Sequence, residues 1–270
     1  MAFIGEYIAQ KTVRRLLDRS RQFAQLQYDG DATIYPIQLA IDAESKQRIL
    51  VLTPHADDET FGAGGAIIQH IEAGHEVRVV LFSDNVASVN GNGVSPKEVE
   101  ELRRAEFFAA MDVLGVKHTA VFSLSEEQME KENDWQRMLN AILVENQPDV
   151  LYFPSLFDNH KEHRLLNKHI CGVLREEQSL SPVCRTFEVW SPLPATAALN
   201  ISGQLERKRQ AIRCYKSQLS NIRYEHHIIG LNAYRALTFG DSAEYAEAFL
   251  ELPATDYCAL VRQFLDNSHI

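Results

Sequence analysis

Two short stretches concentrate side chains that bind metals and move protons: His55-Ala56-Asp57-Asp58-Glu59 and Asp158-Asn159-His160-Lys161-Glu162-His163. In the first, with a helix beginning at about residue 57, His55 and Asp58 stand three apart and can converge while Asp57 points elsewhere. Two neighbouring carboxylates are then free for different tasks. In the second, His160 and His163 repeat the spacing of three. Imidazole with carboxylate is a common donor pair for first-row metals, and a catalytic zinc site takes three protein ligands while keeping a position for water. If the stretches meet, a His/Asp/His set can be assembled. A remaining carboxylate can take a proton from water, and a second histidine can stabilise the oxyanion on an attacked carbonyl. Each stretch alone also has an ordinary reading, because a histidine after a strand often only hydrogen-bonds locally and Asp57 or Asp58 fits a helix N-cap.

The elements that must position these residues decide between the readings. Apolar runs of strand length, Arg48–Thr53, Glu76–Ser83, Thr119–Ser123, Asp149–Pro154 and Phe187–Trp190, alternate with amphipathic helices over Phe61–Ala73, Pro96–Leu114, Asp134–Asn146 and Glu162–Glu177. Near-continuous Val/Ile/Leu strands imply a parallel sheet buried on both faces, and Gly74 and Gly115 stand where helix C-caps fall. Ligands of open parallel sheets bind outside the carboxyl ends of the strands. Both polar stretches directly follow a strand, so they emerge on one edge despite about a hundred intervening residues.

Composition narrows the function classes. The 270 residues carry 27 Lys+Arg against 37 Asp+Glu, a net charge of −10, which argues against a polyanion-tracking nucleic-acid binder. Four cysteines without a C-x-x-C pair point to a reducing compartment, and no apolar run reaches membrane-span length. A soluble, cytoplasmic protein is expected. Residues 1–46 read as an N-terminal extension: a basic helix with Lys11, Arg14, Arg15, Arg19 and Arg21, then an edge strand over Thr33–Ile41 that contains Pro36. The basic helix reads as a solvated face, with peripheral contact to anionic lipid as the alternative. Residues 47–270 read as the catalytic domain.

Taken together, PHADDE after the first core strand and a later H-x-(D/E)-H resemble the LmbE/PIG-L superfamily of zinc-dependent N-acetylglucosaminyl deacetylases. Arg103-x-x-Glu106 before Leu114-Gly115-Val116, Glu188-Val189-Trp190, and Lys208 with Ser217-Gln218 are similar to further motifs of that family, and the resemblance spans about residues 47–250. It implies an α/β fold, a Rossmann-like, mostly parallel sheet with helices on both faces and a single catalytic domain. It makes His55, Asp58 and His163 ligands of one Zn2+, for which Fe2+ or Co2+ could substitute. Asp57 becomes the general base, His160 the group that stabilises the tetrahedral intermediate and Arg103 a substrate contact, while Glu59 and Glu162 support the cluster from outside. Ala56 replaces the family's proline, and Lys161-Glu162 replace Pro-Asp, so a longer carboxylate must tune His160.

The reading is therefore a metal-dependent hydrolase that removes N-acetyl from an N-acetylglucosamine-type amino sugar or a conjugate of it, lipid- or nucleotide-linked substrates and homo-oligomers included. The rivals are an amidase for a larger N-acyl conjugate and a non-catalytic sugar-binding homologue; a two-metal phosphoesterase would want more carboxylates. The Gly/Asn/Ser-rich stretch Ser83–Pro96 is expected to form a loop on the same edge. Tyr224-Glu225-His226-His227 reads as exposed or structural, with a reach to the rim of the site as the alternative, and Cys171 and Cys214 read as small core residues.

Overall fold

The computed structural model describes residues 36–83, 95–130, 132–220 and 222–266. The basic segment at 11–21 and all but the ends of the Ser83–Pro96 stretch lie outside them. Strands form at β1 (Ile37–Leu39), β2 (Arg48–Thr53), β3 (Glu76–Leu81), β4 (His118–Val121), β5 (Val150–Pro154), β6 (Val183–Phe187), β7 (Ala197–Asn200) and β8 (Ala246–Pro253). They make one sheet in the order β1-β7-β8-β6-β5-β2-β3-β4. All pairings are parallel except those of β8, which runs antiparallel between β6 and β7. The mostly parallel α/β fold read from the sequence is thus observed. β1 takes the edge beside β7, and its preceding Pro36 removes no ladder donor there.

Helices cover both faces. On one side α1 (Asp58–Glu72), α2 (Pro96–Leu114), α6 (Leu205–Ile212) and α8 (Tyr224–Arg235) close a core around Phe61, Ile67, Phe107, Met111 and Phe249. On the other, α3 (Glu126–Glu130), α4 (Glu132–Asn146), α5 (Lys161–Glu176) and α9 (Ala254–Asp266) close one around Trp135, Leu139, Leu166, Ile170 and Tyr257. The short α7 (Lys216–Leu219) lies between α6 and α8 in the chain. Because both faces are covered, β5 is buried throughout and β2 everywhere but Arg48. Their continuous apolar runs follow from that burial.

The sheet order reverses between β2 and β5: the chain leaves β2 toward β3 and β4, then returns to the other side of β2. This switch point opens a crevice at the carboxyl ends of the two strands. Both histidine stretches begin there.

α1 lies close against the sheet because it is small at the contact. A Cβ on Gly62 would stand 2.1 Å from Phe187, and one on Gly65 2.5 Å from Ile201. The helix is further held by Glu247 on β8, whose carboxylate accepts from the Gly65 and Ala66 N–H groups at 2.7 and 2.8 Å. Fully buried Lys208 donates to the same carboxylate at 2.7 Å, to Asn232 at 3.0 Å and to the Phe61 carbonyl at 2.8 Å.

One strand differs from expectation. The sequence predicts Phe187–Trp190, whereas β6 is Val183–Phe187 and the chain leaves the sheet at Glu188. The Glu188 carboxylate accepts from the Leu193 N–H and the Arg235 guanidinium, and the Trp190 N–H donates to Asp158. The backbone there turns away to make side-chain contacts instead of a ladder. Among the described residues no helix is long and apolar enough to cross a membrane.

Candidate metal and catalytic site

The turn from β2 into α1 is built on an unusual residue. Asp57 has φ 120° and ψ −31°, a region L side chains seldom adopt and one that costs on the order of 1–3 kcal/mol. Its N–H donates to Glu59 Oε2 at 3.3 Å, and its carbonyl accepts from the Phe61 N–H at 2.8 Å. Glu59 is itself fixed by the Thr60 hydroxyl at 2.6 Å and the Tyr215 hydroxyl at 2.5 Å. The kink separates the two aspartates, leaving Asp58 on the first turn of α1 facing His55.

Three donor atoms converge there. Asp58 Oδ2 lies 3.2 Å from His55 Nδ1 and 3.0 Å from His163 Nε2, and the two imidazole nitrogens are 3.3 Å apart. The same Asp58 oxygen accepts the His55 backbone N–H at 3.1 Å. His160, at the N-cap of α5, joins the group: ligand atoms of His55, His160 and His163 all fall within 4.8 Å of one another, a spacing that could hold a metal ion. Its ring lies 4.4 Å from that of His55. The structure therefore brings His55, Asp58, His160 and His163 together.

The surroundings set the electrostatics. His163 is fully buried between Asp58 and Asp158, whose Oδ1 is 3.4 Å from His163 Nδ1; burial opposes its charge, yet the two carboxylates push it up to about 10. Asp58 is held below the ordinary carboxylate range despite burial, because His163 and His55 face it. Asp57 is pushed well up by burial and by its acidic neighbours Asp58 and Glu59, against the opposing charges of Arg103 and His163. Glu162 accepts from His160 Nδ1 at 2.5 Å, which brings it down to about 2. The longer carboxylate that stands in the H-x-(D/E)-H stretch thus reaches His160. Arg103 is buried, with its charge felt by both Asp57 and Tyr224.

Asp158 was given no role on sequence grounds. It is buried and accepts from the His160 N–H at 3.0 Å and the Trp190 N–H at 2.9 Å while facing His163. Only its place two residues before a histidine could have pointed to it. Glu106 likewise gains a reason: it accepts the Ser217 N–H at 2.8 Å and hydroxyl at 2.6 Å, tying the R-x-x-E helix to the S-Q turn. Of the Tyr224–His227 cluster, Tyr224 reaches the site, stacking at 5.2 Å on Phe61 and pushed up to about 12 by partial burial and by Asp57 and Asp58. His226 instead lines a cavity of about 570 Å³ with Leu219, Ile222, Arg223 and Ile229. Cys171 is buried and Cys214 half-buried.

The fold and the site together define an α/β protein with paired histidine clusters at the switch point of a doubly covered sheet. Residues 50–173 match the family described as PIG-L: GlcNAc-PI de-N-acetylase, and the resemblance read from the motifs is borne out. The chain is 22% identical over 121 residues to the diacetylchitobiose deacetylase of Thermococcus kodakarensis, a match spanning 44% of this chain and 45% of that protein. It is 26% identical over 190 residues to the 4-oxalmesaconate hydratase of Pseudomonas putida, covering 63% of this chain and 73% of that one. The solved N,N'-diacetylchitobiose deacetylase from Pyrococcus horikoshii shares the fold at a TM-score of 0.68 and 21% identity, over 79% of this chain and 86% of that one.

Proposed function

We propose that the protein is a zinc-dependent deacetylase of N-acetylglucosamine-type sugars or their conjugates. The observation that carries this reading is the convergence of His55 Nδ1, Asp58 Oδ2 and His163 Nε2 at 3.0–3.3 Å, beside a fourth group, Asp57. Donors about 2.0–2.1 Å from a tetrahedral zinc stand roughly 3.3 Å apart, so these three atoms already have the separation such an ion requires. Asp58 is preferred over His160 as the third ligand because its Oδ2 already stands within 3.2 Å of both His55 Nδ1 and His163 Nε2. Asp158 Oδ1 faces His163 Nδ1 at 3.4 Å from behind, on the side from which carboxylates orient metal-bound imidazoles.

When bound there, the ion supplies Lewis acidity and lowers the pKa of water. The chain's own residues supply the rest. Asp57, whose carboxyl holds protons more strongly than an ordinary carboxylate because of burial and its acidic neighbours, takes the proton of the attacking water in its ionised form. His160, held by Glu162, donates to the developing oxyanion. The proton returns to the departing nitrogen from Asp57 or His160, and Arg103 binds sugar oxygens. A lipid-linked substrate would give the basic segment at 11–21 a membrane to touch from a cytoplasmic position.

Acetate release from N-acetylglucosamine, N,N'-diacetylchitobiose and bulkier N-acyl analogues tests the reading. Turnover by zinc-loaded protein, reduced at least ~100-fold in Asp57→Asn, is expected. Preference for the bulkier acyl groups would select the amidase instead. The hydratase match favours a second reading, water addition to an organic-acid substrate. Hydration of 4-oxalmesaconate without any acetate release would overturn the deacetylase.

A further inference from the structure

Trp190 is a large apolar side chain with no fold-level reason to be exposed. It is 48% exposed, while the chain's other tryptophan, Trp135, is 1% exposed and packs on Phe82 and His169. Its position is nonetheless tightly determined. The Trp190 N–H donates at 2.9 Å to Asp158 Oδ2, and the other oxygen of that carboxylate accepts the His160 N–H and faces His163. Two residues earlier, Glu188 is held by the Leu193 N–H at 2.8 Å and by Arg235 Nε at 3.1 Å. The segment is clamped on both sides of the indole, so one aspartate links an exposed aromatic ring to the histidine cluster.

Tyr224 completes a corner. Its ring meets that of Trp190 edge-on at 5.6 Å and 82° and lies 5.2 Å from that of Phe61, three residues after Asp58. A fixed indole and a fixed phenol therefore wall the edge of a site whose floor is polar and acidic. Pyranose rings have a matching character: hydroxyls point outward, while one face presents C–H bonds whose positive edges suit the electron-rich face of an aromatic ring.

We propose that Trp190 and Tyr224 form the subsite that takes the C–H face of a pyranose, and so select a sugar over other amides. What occupies the corner rests on the deacetylase reading; that it is a preformed aromatic subsite does not. Trp190 is a positioning residue here, and its loss weakens sugar binding more than it slows the chemical step.

The two-tryptophan composition allows a direct test. In Trp135→Phe, Trp190 is the sole indole, and titration with N,N'-diacetylchitobiose and with its fully deacetylated form is expected to give a saturable change in emission. In kinetics on N,N'-diacetylchitobiose, Trp190→Ala is expected to raise KM about tenfold while kcat falls less than threefold, with Trp190→Phe recovering most of the loss. Equal urea midpoints and metal content would show that the fold is intact. Turnover with unchanged KM in Trp190→Ala and no emission change on sugar binding would overturn the subsite. Saturable emission changes without acetate release from any sugar would leave the subsite standing and reject the deacetylase. Neither binding nor turnover of any sugar would reject both.

Discussion

Asp57 and Asp58 are neighbours whose surroundings push their acidities in opposite directions. Asp58 sits among imidazoles that favour its charge, while Asp57 sits among carboxylates that oppose it. Their side chains should therefore fail differently. Asp58→Ala removes a donor and is expected to abolish bound metal, as read by elemental mass spectrometry; Asp57→Asn is expected to keep about one metal per chain and lose ~10²–10⁴-fold in kcat for acetate release. Asp158→Asn tests the group behind the site. It removes the charge beside His163 and keeps only one of the two acceptor oxygens that serve the His160 and Trp190 N–H groups, so metal affinity measured against a chromophoric chelator should fall ~10–100-fold. His55, Asp58, His160 and His163 were legible because two spacings of three followed two strands that share an edge. Asp158 and Tyr224 were not. Their places in the site depend on Trp190 and Phe61, contacts that no local spacing records.

Helix α1 is the element that carries Asp58, and its attachment to the sheet is electrostatic as well as apolar. Lys208 and Glu247 are both fully buried and share the α1 backbone as a partner, so each buried charge is compensated only while the other remains. Lys208→Ala would leave a buried carboxylate without its cation, an expected loss of ~3–5 kcal/mol in urea unfolding, whereas Lys208→Met with Glu247→Gln should recover at least half of it. Near its other end α1 holds His70, whose ring contacts His75 at 2.8 Å and the Tyr152 hydroxyl at 2.9 Å. Burial, with the charge of Arg185, brings His70 down to about 3. The unfolded chain takes up a proton there below about pH 6.5 that the folded chain refuses, so this contribution is whole above that pH and declines as pH falls toward 3, by at most ~1.4 kcal/mol per unit. Unfolding midpoints at pH 7.5 and 5.5 should fall less steeply in His70→Gln than in the native chain.

At the scale of the whole molecule, the parallel half of the sheet was readable from its apolar runs, but the antiparallel insertion was not. β8, AEAFLELP, is composed of residues at home in helices, and only pairing with β6 and β7 on both sides makes it a strand. What the topology accomplishes is to bring residue 55 and residue 163 to one crevice from separate β-α units. A metal bound there would join the β2–α1 turn to the β5–α5 turn across the switch point, and its binding energy would add to the stability of the whole domain. At free zinc about 1,000-fold above Kd this is ~4 kcal/mol, or on the order of 10 °C in thermal midpoint for a chain of this size. Differential scanning fluorimetry should show the midpoint falling by that order when the metal is stripped and returning on zinc addition. His163→Ala, which cuts the link from the α5 side, should show no zinc-dependent rise. An equal zinc response in that variant would place the ion elsewhere and break the argument that the switch point holds it.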